Sequence, residues 1–447
     1  MGNSHDEGIT QRGMTRRQFL WVTVLSGTGL ILGCATDPVT GRSQLMLVSE
    51  DFEIQIDKQN SPHQFSADYG PLQDRALNTY LHQTGKKIAS KTHRPHMPYS
   101  FRGVNATYIN AYTFPGGSVA ATRGILLNLR NEAELAGLLG HELGHVNARH
   151  TAEQMSKSMV STAVIGGLAA YAGTKSAIYG EMASKLGMIG AGALLAHYSR
   201  DNEREADALG MEYMVQAGYN PNGLVGLMDM LRGMSKHKPS AIELMFATHP
   251  MSDERYRTAI QKSQTRYQSA QNLPMHRDRY MDHTATLRAL KSAINEMQNG
   301  ESALAKQNYS DAEVHFRKAL KKAPEDYAGL LMMSKCQLVQ KKYAEAQRYA
   351  HTATAVYPQE AQAYHLIGIA KINTSDFDAA YEAFTTYEKL LPGNPNTIFF
   401  KGLSLEGMKK IKDAASEYHQ YLQIVQEGKQ AQYAYRRLVE WGYIKPK

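Results

Sequence analysis

Three residues at one spacing carry the chemistry of this chain: His141, Glu142 and His145, in the run His141-Glu142-Leu143-Gly144-His145. Histidines at i and i+4 lie about 40° apart around a helix of 3.6 residues per turn, so both imidazoles reach one metal ion. Glu142 projects about 100° away from His141. It is placed to take a proton from a water at that metal without ligating the ion. This is the arrangement of a zinc hydrolase. A catalytic zinc takes a third protein ligand and leaves a fourth position open. The stretch from Ser199 to Asp207, SRDNEREAD, offers that ligand. Glu203 and Asp207 are again i and i+4 and share one face of a second helix. Glu203 is the expected third ligand. Asp207 is the expected acceptor for the free ring nitrogen of a ligand histidine. Glu205 falls nearly opposite Glu203 and is expected in solvent. His150, five residues past His145, points off the ligand face. One Zn2+ per chain is expected.

These residues need two helices held together. The first runs from Asn131 to His150. Asn131 is an N-cap residue, and Glu134 three residues on can close a capping box. Leu135, Leu138, Leu139 and Val146 give the helix a buried face. The second is expected over 203–218, ended by Gly218 and the Asn220-Pro221 break. Between them, 157–197 is rich in Gly, Ala, Met and Leu. Thr174, Lys175, Glu181 and Lys185 interrupt it, leaving no apolar run near the ~20 residues of a membrane span. A pair of amphipathic or buried helices is expected there. Residues 51–60 and 72–90 also read as helices. The β region is 99–122, with runs Tyr99–Arg102, Thr107–Phe114 and Ser118–Thr122 and a turn at Pro115-Gly116-Gly117. One of its strands is expected to border the cleft, where an edge strand holds an extended peptide through main-chain hydrogen bonds. His249 precedes Pro250 and so sits at a helix boundary or in a loop. A further helix starts at Ser252, with Asp253 and Glu254 in its first turn. Arg255 is expected to pair with an acid or to bind a substrate carbonyl.

The 447 residues, 43% hydrophobic and 21% charged, suit two or three globular domains. Net charge is +8, yet no basic helix is concentrated enough for nucleic acid. An anionic membrane surface accounts for the sign equally well. Residues 1–34 read as an export signal. Thr15-Arg16-Arg17-Gln18-Phe19-Leu20 resembles a twin-arginine segment, an apolar run follows, and Ile31-Leu32-Gly33-Cys34 resembles a lipobox. Cys34 would then carry a lipid. An uncleaved anchor or a plain secretory signal are the alternatives, and Met1 or Met14 the start. A lipidated Cys34 leaves Cys336, the other cysteine, without a partner.

Beyond residue 285 the chain repeats every 34 residues. Tyr309, Tyr343, Phe377 and Ile411 keep this period, as do Ala312, Ala346, Ala380 and Ala414, and Pro324, Pro358 and Pro392. The period resembles the tetratricopeptide repeat, a helix–turn–helix unit whose arrays form concave binding surfaces. Gly368 and Gly402 suit the small position where two helices pack closely. Residues 430–441 add a final helix. The polar stretch 271–284 reads as a linker with few contacts to either side. The expected organisation is a signal over 1–34, a peptidase domain over 35–270, this linker, and an all-α solenoid over 285–447. The expected fold is mainly α: an α+β domain with a small β-sheet, whose helix-borne His-Glu-x-x-His resembles that of zincin-like domains, then the repeat array.

Several motifs in order carry a resemblance. HELGH, SRDNEREAD and Thr248-His249-Pro250, with Asn110-Ala111-Tyr112-Thr113-Phe114-Pro115-Gly116-Gly117 and Asp37-Pro38-Val39-Thr40-Gly41-Arg42, resemble the HtpX- and BepA-like gluzincin metalloproteases. The segment at 110–117 is similar to their NAF-x-x-PGG element, which implies that Asn110, Ala111 and Tyr112 hold substrate. The His-Pro at 249–250 implies a histidine near the zinc. His249 then either closes the site as a fourth ligand or donates to the oxyanion; the resemblance favours the closing role. The implied setting is the Gram-negative periplasm, with the chain held by its lipid at the outer or inner membrane. There it would cleave misfolded or unassembled envelope proteins, the array recruiting protein substrates or outer-membrane assembly machinery. The alternative is a periplasmic chaperone or assembly scaffold with a dormant, self-inhibited peptidase.

Overall fold

The computed structural model describes residues 34–41, 43–157, 198–237 and 239–446. The signal segment up to residue 33 and the expected helix pair between the metal helices lie outside these residues. β1 (Cys34–Thr36) and β2 (Ser43–Leu45) pair antiparallel. Then come α1 (Glu50–Ala67), α2 (Arg75–Ala89), β3 (Ser100–Val104), β4 (Ala111–Thr113), β5 (Ser118–Thr122), α3 (Arg123–Leu126) and α4 (Glu132–Asn147). Residues 150–157 are helical. α5 (Arg200–Gln216), α6 (Asn222–His237), α7 (Pro239–Thr248) and α8 (Asp253–Gln264) complete the first unit. The sheet has the order β3-β5-β4, β5 running parallel to β3 and antiparallel to β4. No helix among the described residues is long and apolar enough to cross a membrane.

α4 is buried along its whole length and lies against α5 backbone to backbone. A Cβ at Gly140 would fall 2.7 Å from the Gly210 carbonyl oxygen, and one at Gly144 2.8 Å from Ala206 Cα. Glycine at these two positions lets the helices touch, which brings their polar side chains into one cluster. Asn131 caps α4 through the Glu134 amide at 2.9 Å. The capping box does not close: Glu134 instead accepts from the Arg130 amide and side chain at 2.6 and 2.8 Å. A neighbouring guanidinium outcompetes the N-cap amide for a carboxylate, as charge-assisted bonds do.

The stretch read as a linker is packed structure. α9 (Arg277–His283) and α10 (Ala285–Ala289) lead into α11 (Lys291–Ala305). Tyr280, Leu287 and Ile294 on these helices belong to the core of the first unit. The Tyr280 hydroxyl donates to the Leu126 carbonyl at 2.6 Å, Arg279 pairs with Glu132, and Arg288 donates to the Leu129 carbonyl at 2.7 Å. The polar composition of 271–284 hid one apolar residue per two turns, too sparse a stripe to stand out.

The array then runs as helix pairs: α11 with α12 (Tyr309–Lys322), α13 (Tyr327–Val339) with α14 (Tyr343–Val356), α15 (Gln362–Asn373) with α16 (Phe377–Leu390), and α17 (Pro395–Gly407) with α18 (Ile411–Ile424), capped by α19 (Lys429–Glu440). Each pair turns on a left-handed residue: Gln307, Lys341, Ser375 and Lys409, φ 58–63°. Gly300, Gly368 and Gly402 each face an aromatic ring (Phe316, Phe384, Tyr418) with no room for a Cβ. At the equivalent place in the second pair, Ser334 meets the α14 backbone, donating to the Ala346 carbonyl at 2.8 Å.

The first helices of the pairs close onto the first unit. Arg123 makes two bonds to Asp326, at 2.6 and 3.2 Å. Thr107 and Ser66 donate to Glu301 and Glu360. Lys335 lies 4.4 Å over the ring of Tyr69. The face expected to recruit partners is thus partly occupied by the chain's own residues.

Candidate metal centre

α4 supplies His141 and His145, their Nε2 atoms 3.1 Å apart. α5 supplies Glu203, with Oε1 3.3 Å from His145 Nε2 and Oε2 3.5 Å from His141 Nε2. His249, just past α7, adds a third ring: its Nδ1 is 3.0 Å from Glu203 Oε1 and 3.4 Å from His141 Nε2. One ligand atom from each of the four lies within 4.8 Å of all the others, and all four residues are buried.

The other ring nitrogens decide what this cluster fits. His141 Nδ1 lies 3.0 Å from Asp207 Oδ1. A proton held there leaves a lone pair on Nε2, facing the cluster. His145 Nδ1 lies 2.9 Å from His150 Nδ1, whose Nε2 lies 3.2 Å from Glu205 Oε2. Its Nε2 also faces inward. Converging imidazole lone pairs and a carboxylate are a donor set for zinc. Beside them, Glu142 is fully buried and neither carboxylate oxygen has a hydrogen-bond partner. Its nearest ring nitrogen, His249 Nε2, is 3.8 Å away. A buried carboxylate left without a partner has a reason to be there other than stability.

The electrostatics follow from burial. Burial pushes Glu142 above the ordinary carboxylate range, against the opposing pull of His249 and His141. Burial alone would raise Glu203 too, but His249 and His141 outweigh it and hold Glu203 well below that range. Burial lowers His145 despite its bond to Glu203. His249 is raised, because Glu203 and Glu142 overcome its burial.

Asp207 stands where a partner for a ligand histidine was expected. It is itself held by Arg255 through bonds of 2.6 and 2.7 Å. Arg255 also reaches Glu203 Oε2 at 2.6 Å and donates to the Pro250 carbonyl at 2.8 Å. Of its two expected roles, the acid-pairing one is the one seen. Glu205 is not simply solvated, since it meets His150. His150 reaches back to His145 because α4 ends at Asn147, three residues short of His150, and Arg149 takes a left-handed backbone (φ 56°). Helical extrapolation could not show that break. The side chain of Arg149 is anchored to Glu53 and the Val48 carbonyl. Tyr198, which carried no motif, stacks on His145 at 3.7 Å between centroids.

The strand expected to hold substrate is less direct. Asn110, Ala111 and Tyr112 are all buried. The Tyr112 hydroxyl donates to Asp68 at 2.5 Å and its ring packs on Phe65 and Phe114. Neither polar atom of the Asn110 side chain has a partner. Residues 113–115, rather than 110–112, border His145 and Arg149. Cys34 opens β1, apart from this centre in sequence and in element.

Comparison with known proteins fits this architecture. Residues 75–262 match peptidase family M48, and residues 303–369 match a tetratricopeptide repeat family. A putative beta-barrel assembly-enhancing protease of Vibrio cholerae is 32% identical over 194 residues, 41% of this chain and 38% of that protein. Metalloprotease YcaL of Escherichia coli is 34% identical over 158 residues, covering 35% and 59%. Mitochondrial metalloendopeptidase OMA1 of Schizosaccharomyces pombe is 28% identical over 251 residues, covering 54% and 71%. The aligned part spans well under half of the Vibrio protein's length. The chain carries a peptidase family M48 domain with tetratricopeptide repeats behind it.

Proposed function

We propose that this protein is a zinc metalloendopeptidase whose array selects protein substrates at the cell envelope. The observation that carries the reading is the pairing of converging lone pairs on His141, His145 and Glu203 with the unpartnered carboxylate of Glu142. Zinc held by those three residues supplies a Lewis acid at the site. Glu142 accepts a proton from the attacking water and delivers it to the leaving amine nitrogen. Its burial favours this by raising its proton affinity. Asp207 fixes the ring of His141, and Arg255 fixes Asp207 and Glu203. Extended substrate is held along the β4 side, with Asn110, Ala111 and Tyr112 shaping that strand.

His249 supports a second reading. It stands among the ligand atoms as a fourth donor, the closed arrangement of a self-inhibited peptidase. In that state the chain serves as a chaperone or scaffold, and His249 must leave for a substrate carbonyl to enter. The relatives named for beta-barrel assembly support misfolded or unassembled envelope proteins as substrates and assembly machinery as partner. The lipobox-like sequence ending at Cys34 supports a lipid-anchored periplasmic location. Glu142→Gln tests the enzyme reading. The variant keeps its metal and fold and loses about 10²–10⁴-fold in proteolysis. Full restoration of a deletion strain by this variant would favour the scaffold.

A further inference from the structure

A cleft of about 410 Å³ lies at the junction of the two domains, between α1, the sheet and the turns that follow α14 and α16. This size, at a domain boundary, is that of a ligand site. Phe65, Tyr357 and Leu391 give it an apolar wall. Tyr357 and Leu391 are equivalent residues of successive repeats, each the C-cap that closes its helix.

Two cations line the same cleft. Neither Arg102 nor Lys58 makes an ion pair among the described residues. The Arg102 guanidinium lies 4.6 Å over the Phe65 ring and donates one 3.3 Å bond to Ser100 Oγ. Its Nε is buried with no acceptor. Burial holds Arg102 below the usual guanidinium range, against the pull of Asp57. The two acids of the cleft are already engaged. Asp57 accepts from the Ser118 amide at 2.8 Å. Glu360 accepts from Ser66, Tyr327 and the Gln362 amide. A guanidinium with a buried donor unpaired and no carboxylate bound, beside an apolar wall, suits an anion with an apolar body.

We propose that this cleft binds the C-terminal residue of a polypeptide, its α-carboxylate at Arg102 and Lys58 and its apolar or aromatic side chain against Phe65, Tyr357 and Leu391. Gln359 is at hand for the main-chain amide of the same peptide, a partner that a hydrocarbon tail does not need. The cleft is bordered by Gly116, in the turn whose preceding residues Phe114 and Pro115 border His145 and Arg149. A chain end held there is gripped one turn away from the metal centre. The inference rests on the peptidase reading only for its purpose, because binding is measured without cleavage.

The test uses the full chain with Glu142→Gln and fluorescence anisotropy of a labelled ten-residue peptide ending in Leu-Phe. The free acid is compared with its C-terminal amide and with laurate as competitor. The acid should bind about tenfold or more tighter than the amide. Arg102→Gln should abolish that difference, and Lys58→Glu, at an exposed position, should weaken acid binding without altering the melting midpoint. Equal binding of acid and amide, no binding, or an unchanged preference in both variants would overturn the proposal. So would laurate binding that depends on Arg102 while the peptides are not discriminated, since it assigns the cleft to a fatty acid. Casein cleavage by the unsubstituted chain tests the peptidase reading separately.

Discussion

The candidate metal centre and the domain junction are both buried and both crowded with ionisable groups, yet they are built in opposite ways. At the junction most charges are answered, although Arg123 Nε and Arg102 Nε are buried without an acceptor. Arg123 meets Asp326 in a two-bonded pair, and Glu360 takes bonds from Ser66, Tyr327 and the Gln362 amide. At the metal centre the lone pairs of His141, His145 and Glu203 point at one another, and Glu142 has no partner. Satisfied polar burial marks a joint. Unsatisfied polar burial marks a place where something else binds or reacts. By the same measure Arg102, at the junction, and Asn110, just before β4, have unpartnered atoms and fall on the binding side of the comparison.

The largest expected effect tests whether the joint is part of the peptidase fold. A chain ended after residue 270 loses Tyr280, Leu287 and Ile294. Each buried side chain is worth about 1.5–3 kcal/mol, against a whole-domain stability of ~5–15 kcal/mol. That chain should lack a cooperative melting transition, whereas one ended after residue 305 should melt cooperatively. Cooperative melting of the shorter chain would show the segment to be a linker after all. Within the joint, Arg123→Ala leaves Asp326 buried and unpaired and should cost about 3–5 kcal/mol in urea unfolding. Arg123→Met combined with Asp326→Asn should recover much of that loss, because no buried charge is stranded and asparagine still caps α13. Equal losses in single and double variants would mean that packing, not charge, holds the joint. The smallest effect belongs to His249. If it closes the centre, His249→Ala should raise basal cleavage of an unstructured peptide severalfold with zinc retained. A fall on the order of 10²-fold would instead make it an oxyanion donor.

The two regions also differ in how far they could be read from sequence. His141, His145, Glu203 and Asp207 were legible because each pair lies within one helical turn, where spacing fixes direction. The repeat period was legible for the same reason, one unit copied four times. His150 was not, because it depends on the left-handed Arg149 breaking α4. Arg255 was half legible: its acid-pairing role was one of two alternatives. The joint was read as a linker because its contacts join residues far apart, such as Tyr280 with Leu126 and Arg279 with Glu132, and no local pattern encodes them. Substrate contacts were assigned to Asn110, Ala111 and Tyr112 from the resemblance of 110–117 to a family element, but the bend into Pro115 brings 113–115 closer to His145.

The central claim is that His141, His145 and Glu203 hold a metal for which Glu142 serves as base. Metal analysis of the purified chain and of two glutamate variants tests it most directly. The unsubstituted chain and Glu205→Ala should each contain about one zinc per chain, and Glu203→Ala should contain essentially none. Zinc retained in full by Glu203→Ala, or lost equally from Glu203→Ala and Glu205→Ala, would contradict the account.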